Sequence, residues 1–270
     1  NLAMAFLLHA DHGDMNVRAA YLHVLSDLLG AAAAAAAALI VMQTGWLAAD
    51  AWLSLFVTVL IEGQTPSAVT TSKQVDIWID PICPFCWITS RWLISIAADR
   101  HLEIVWRPIS LLRKNGLAPG DDYFPEAMAT HRMLRVIVAA GPEHAGDLYA
   151  AFGRHIHHEG AREIDLAAVL TERGLDPALA EAADDETHDA AIAASMDEAL
   201  ALAGADVGTP IIAIDGPDGR VGLFGPVITR MGTHEECLRL WDGFVALATT
   251  PGFYEVKRTR TDFPDPTTIR

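Results

Sequence analysis

The chain has 270 residues and a mass of 29.1 kDa, room for one large domain or two small ones. With 51% hydrophobic and 20% charged residues it is neither disordered nor collagen-like, and a formal net charge of −16 speaks against binding nucleic acid. Three cysteines are too few for the disulfide scaffold of a small secreted fold. The charge is unevenly spread. Residues 1–72 hold one basic residue, Arg18, and five acidic ones, Asp11, Asp14, Asp27, Asp50 and Glu62, leaving 18 basic and 30 acidic for the remainder.

From Ala19 to Met42 runs AAYLHVLSDLLGAAAAAAAALIVM, in which only His23 and Asp27 bring ionisable polarity. Its 24 positions suffice for a bilayer span. Gln43-Thr44-Gly45 marks a turn, and WLAADAWLSLFVTVLI (46–61) restarts the apolar run. An all-α, membrane-type helical hairpin is therefore expected over residues 1–62, since so few charges remain to face water. A pair of helices buried in a soluble core is the alternative. His23 and Asp27, at i and i+4, share one helix face and could supply two ligands of a tetrahedral zinc site. A mutually hydrogen-bonded pair has the same spacing.

The stretch NVRAAYLHVLSDLLG, the Ala-rich span, TGW, AD and SLFVTVLI resemble the fifth and sixth transmembrane helices of cation diffusion facilitator zinc transporters. LLHADHGD before them is similar to that family's cytoplasmic loop. The resemblance implies that His23 and Asp27 match half of the transport site, whose other half comes from a helix this chain lacks. Residues 1–62 are thus expected to be a transporter remnant with a vestigial, unoccupied metal pair. Arg18 before the first span and Lys73 after the second, with no basic residue in the loop between, place both ends in the cytoplasm.

Residues 63–74 have the polar, small, Pro-containing composition of a linker. VDIWID (75–80) then alternates like a strand, Cys83-Pro84-Phe85-Cys86 opens a helical run to Arg100, and LEIVWRPI (102–109) reads as a second strand. Strand, C-x-x-C, helix, strand is the opening of a thioredoxin-like fold. A thiolate is the attacking species in disulfide chemistry, and a helix N-terminus stabilises it. Cys83 in the first turn is the expected exposed nucleophile, and Cys86, three residues on, the resolving thiol. A zinc half-site is the competing use of C-x-x-C. It would need partners from His155, His157 and His158 in another segment, since the only other cysteine is Cys237, read as a small buried hydrophobe. Asp76 could accept the proton of Cys86, although a plain strand-edge carboxylate is the simpler reading.

Helical periodicity recurs near 123–140, 142–157, 164–173 and 187–203, forming an insertion of about 121–205. Thr209-Pro210 then precedes the strand IIAID, RVGLFGP (220–226) returns as another, and HEECLRLWDGFVALA (234–248) closes as an amphipathic helix. A Thr-Pro at that place is what thioredoxin-like proteins show. There the resemblance implies a cis proline facing the C-x-x-C. The fold class expected for 75–262 is α/β, thioredoxin-like of the DsbA type, with 263–270 as a tail.

VDIWIDPICPFCWITSRWL, AAFGRHIHHEG, VGTP, FGPVITR and FYEVKRTRTDFP further resemble the mycothiol-dependent nitroreductases, DsbA-like oxidoreductases of actinobacteria. The resemblance implies a thiol–disulfide oxidoreductase that draws electrons from mycothiol, holds no bound cofactor and acts on disulfides or small nitro compounds. Cys83 and Cys86 carry over as the catalytic pair. Pro84, Phe85, Thr209, Pro210, Asn115, Tyr123 and His157 carry over as substrate-binding residues. Phe85 departs from that family's usual tryptophan. A solvated helix end for His157 and a core aromatic for Tyr123 fit the sequence equally well. Non-redox relatives of the same fold, the hydroxychromene-carboxylate isomerases and kappa-class glutathione transferases, keep a serine at the nucleophile and lack the second cysteine. The expected setting of the redox domain is cytoplasmic, membrane-associated if the hairpin is retained.

Overall fold

A computed structural model describes residues 73–269. The chain divides into two units, Asn1–Thr71 and Ser72–Arg270, and the fold is that of the second. The expected membrane hairpin, with His23 and Asp27, lies outside the described residues. Among those described, no helix is long and apolar enough to cross a membrane.

β1 (Lys73–Ile79) begins two residues inside the expected linker, because Lys73 and Gln74 pair with Leu102 and Glu103 of β2 (Leu102–Pro108). The two strands are parallel and joined by α1 (Pro84–Arg100). Pro84 occupies the first helical position, where an N–H would have had no partner, and His101 ends the helix in the left-handed region at φ 53°. After β2 the chain runs through α2 (Leu111–Lys114), α3 (Phe124–Ala140), α4 (Pro142–His157) and α5 (Leu166–Glu172). Two 3-10 segments, Pro177–Asp184 and Glu186–His188, lead into α6 (Asp189–Ala203). β3 (Ile211–Gly216) and β4 (Gly219–Phe224) then add antiparallel strands, giving the order β2-β1-β3-β4. α7 (His234–Ala248) follows, opened by a capping box between Thr233 and Glu236.

β1 is interior and buried on both faces, which explains its nearly unbroken apolar sequence. Val75, Ile77 and Ile79 join Ile212 and Ile214 of β3 in a core with Trp92, Leu93 and Ile96 of α1, Leu148 and Phe152 of α4, and Trp241 and Phe244 of α7. The opposite face is smaller. There Trp78, Ile109, Ile211 and Ala213 pack with Ala199 of α6, and the Trp78 indole N–H donates to the Ser195 carbonyl at 2.8 Å. The helical insertion is therefore part of the core, because its last helix covers one face of the sheet. Full burial of each such side chain contributes about 1.5–3 kcal/mol.

Candidate active site

β1 ends at Ile79, and the turn Asp80–Ile82 delivers the chain to α1. Cys83 is the N-cap residue, with extended backbone at φ −81° and ψ 111°. Its sulfur accepts the Cys86 N–H at 3.4 Å and lies 3.7 Å from the Thr209 carbonyl, to which the thiol donates. The Thr209-Pro210 bond is cis, as the resemblance implies, and Gly225-Pro226 is a second cis bond. Cys86 has no exposed surface, and its thiol donates to the Trp78 carbonyl at 3.5 Å. Both cysteines are free thiols.

Two expectations about Cys83 need correction. It stands one position ahead of the first turn, and only 7% of its surface is exposed. Burial raises its pKa above the ordinary 9.0, with the Thr209 side chain and the Cys86 N–H pulling the other way. The helix N-terminus acts in the expected direction, but in the dithiol state desolvation outweighs it. Burial raises Cys86 further, and a charge on Cys83 adds to the effect.

The acid that acts on both sulfurs is Asp80, which the sequence reading passed over. It is fully buried; Oδ1 accepts the Ile82 N–H at 3.1 Å and Oδ2 accepts the Leu111 N–H at 2.7 Å. Burial lifts its pKa to about 6 against these hydrogen bonds. Asp76 is neither an acceptor for Cys86 nor an edge carboxylate. It lies buried on the interior strand, ion-paired to Arg107 at 3.4 Å and closely to Arg220. The missed signal was the turn: an Asp two residues before an N–H that needs an acceptor.

Behind the motif, Trp87 gathers the histidines. His157 stacks on it at 5.7 Å and donates from Nε2 to the Pro81 carbonyl at 2.8 Å, while the Trp87 indole N–H donates to His158 Nε2 at 3.1 Å. Burial lowers His157 to about 4, so its ring is neutral at pH 7. His155 turns away and pairs with Glu159 at 2.6 Å. His157 is thus a half-buried brace for the loop before Cys83 and not a solvated helix end. Pro84 is exposed; Phe85 is half-buried, with the Arg260 guanidinium 5.1 Å from its ring centroid. Asn115 caps α2 and Tyr123 precedes α3. Both are exposed, Tyr123 by 73%, so it is not a core aromatic. Neither makes a side-chain hydrogen bond among the described residues.

A βαβ unit opening on Cys-x-x-Cys, faced by a cis proline and split by a helical insertion, is the DsbA-type thioredoxin fold. Residues 82–258 match the family described as Rv2466c-like, mycothiol-dependent nitroreductase Rv2466c, and the chain belongs to that family of oxidoreductases. It is 29% identical over 195 residues to the uncharacterized protein Rv2286c of Mycobacterium tuberculosis, covering 69% of this chain and 82% of that protein. The zinc transporter ZitB of Escherichia coli is 49% identical over 63 residues, 23% of this chain, supporting the zinc-transporter likeness of the N-terminal segment. The chain spans only 20% of that transporter. Among solved structures, the cytosolic disulfide reductase DsbM of Pseudomonas aeruginosa is similar at a TM-score of 0.46 and 19% identity, covering 65% of this chain and 100% of that one.

Proposed function

We propose that residues 75–262 form a cytoplasmic thiol–disulfide oxidoreductase that uses Cys83 and Cys86 as a dithiol–disulfide pair and mycothiol as electron donor. The observation that carries this reading is Cys83 at the N-cap of α1, its sulfur receiving the Cys86 N–H and facing the Thr209-Pro210 backbone. The Cys83 thiolate attacks one sulfur of a substrate disulfide, forms a mixed disulfide and releases the other half as a thiolate. Cys86 then attacks the Cys83 sulfur, closing an internal disulfide and releasing the second half. Two thiols of the donor reverse the sequence, leaving the donor as its disulfide. Small nitro compounds are the second substrate class, drawn from the family name. A reducing compartment keeps the pair in its dithiol form.

Thr209, Pro210, Phe85 and His157 shape the substrate side, and Asn115 and Tyr123 form its outer rim in this proposal. The test is a pair of variants. Cys83→Ser abolishes disulfide reduction, because an alcohol at neutral pH is a far weaker nucleophile. Cys86→Ser still performs the first attack and traps the mixed disulfide, which peptide mass mapping places on Cys83. An adduct on Cys86 with Cys83 unmodified reverses the roles, and full turnover by Cys83→Ser removes the motif from the mechanism.

A further inference from the structure

Two buried hydroxyls have no hydrogen-bond partner among the described residues: Thr209 Oγ1, on the residue whose carbonyl Cys83 meets at 3.7 Å, and Tyr149 Oη, in the core cluster that holds Cys86. A buried hydroxyl that has given up water without gaining a partner is destabilising, so each calls for a reason. Thr209 already belongs to the site through the cis bond. Tyr149 does not. It lies on α4 with no exposed surface, its ring edge-on to Trp87 at 5.8 Å and tilted against Trp106 at 5.7 Å. Packing on two sides fixes the ring, which edges onto the Trp87 that follows Cys86 and shares one buried cluster with it, and burial raises the proton affinity of both the hydroxyl and the thiol.

A second unpaired donor lies nearby. Arg91 holds its guanidinium 4.3 Å from the Trp87 centroid and 5.9 Å from that of Tyr149, and its Nη2 is buried without a partner. The groups left unpaired on this side of Cys86 are therefore an O–H and a guanidinium N–H. Both are donors. What they lack in the dithiol state is negative charge, and the resolving step creates it on the Cys86 sulfur.

We propose that Tyr149 is a further catalytic residue, its hydroxyl donating a hydrogen bond to Cys86 Sγ once that sulfur has lost its proton, with Arg91 supplying positive charge behind it. This inference rests on the dithiol reading above. In the mixed disulfide, Cys86 gives up its proton and the thiolate attacks Cys83 Sγ. The Cys83–Cys86 bond forms, the bond to the substrate sulfur breaks, and the proton lost by Cys86 ends on the departing thiolate. Cys83 and Cys86 are together oxidised by two electrons, and the substrate disulfide is reduced to two thiols. Without the hydroxyl, the buried thiolate has no side-chain donor from α4 and resolution slows.

Tyr149→Phe keeps the ring between the tryptophans and removes only the oxygen. With the full chain and a low-molecular-weight disulfide, rapid quenching and intact mass should show the Cys83 adduct forming as in the wild type. Its decay should be roughly 10- to 100-fold slower, the loss of one hydrogen bond to a charged group, and its pH profile should move upward. Decay at the wild-type rate with an unshifted profile overturns the inference and leaves the dithiol reading standing. No adduct in either protein overturns both. A measurement independent of that variant replaces the tyrosines with 3-fluorotyrosine, whose more acidic hydroxyl is the stronger donor. Decay of the Cys83 adduct should then be faster than in the wild type, and an unchanged decay overturns the inference even if Tyr149→Phe does not fold.

Discussion

Asp80 serves two backbone N–H groups with its two oxygens, yet burial still raises its pKa from 3.8 to about 6. Between those values the folded chain keeps a proton that the unfolded chain has released, so this group makes the fold less stable as pH rises from about 4 to 6. His157, lowered from 6.5 to about 4, acts in the opposite sense. There the unfolded chain takes up a proton the folded chain refuses, and stability falls as pH drops through that window. Asp80→Asn offers one acceptor oxygen to two N–H donors, and urea denaturation should show a loss of about 1–3 kcal/mol. The same change removes a negative charge that raises both thiols. Cys83 should therefore react faster with iodoacetamide at neutral pH, and an unchanged rate would show that the carboxylate does not act on the sulfur.

At the scale of the element, α4 approaches the redox motif through two glycines. Gly146 and Gly153 are seven residues apart and so share a face. A methyl on the first would collide with the Trp106 ring, and on the second with the Trp87 ring. Alanine normally improves a helix by about 1 kcal/mol over glycine. Forcing a carbon into the Trp87 ring costs about 1–3 kcal/mol, and the displaced ring also loses its stacking on His157. Overpacking wins, and Gly153→Ala should lower Tm and disulfide-reductase activity together. Gly243 in α7 is the control, since a Cβ there meets nothing within 4 Å. Gly243→Ala should keep activity and leave Tm unchanged or higher. From the sequence, both α4 glycines read as mere weak points in a helical run. Their use depends on tryptophans about 40 and 66 positions away, on β2 and α1.

Across the whole domain, one polar line, buried except at Asp189, fastens the helical insertion to the end of the sheet. Arg135 of α3, 8% exposed, forms two hydrogen bonds to Asp189 of α6 at 2.7 and 2.9 Å and a third to the Ala183 carbonyl at 3.1 Å. His131 donates from Nε2 to the same carboxylate at 3.0 Å, and its Nδ1 accepts from Ser110, the N-cap of α2, at 2.9 Å. Ser, His and Asp in line suggest a nucleophile, but Ser110 has no exposed surface and its oxygen also caps Arg113 N–H at 3.3 Å. The line is structural. Asp189→Asn removes the charge that Arg135 and His131 both bond and should cost about 1–3 kcal/mol, read as a lower urea midpoint with an unchanged first attack at Cys83.

The order of elements, the strand–turn–helix around Cys83 and Cys86, and the Thr209-Pro210 step were all decided by local sequence. They depend on period-2 and helical periodicity, Pro84 at a helix start, and Gly and Pro breaks, each acting over a few residues. The charge contrast that set residues 1–72 apart is likewise a property of composition. Other features were decided only by tertiary structure. Asp76 lies on β1 and Asp80 one residue past its end, and the chain alone does not say which meets arginines and which meets the turn above the thiols. Arg107 and Arg220 come from β2 and β4, and Leu111 from the start of α2. The carbonyl that the buried Cys83 thiol meets belongs to Thr209, 126 residues later in the chain. Desolvation and ion pairing are set by whatever the fold places within a few ångströms, and here those neighbours were distant in sequence.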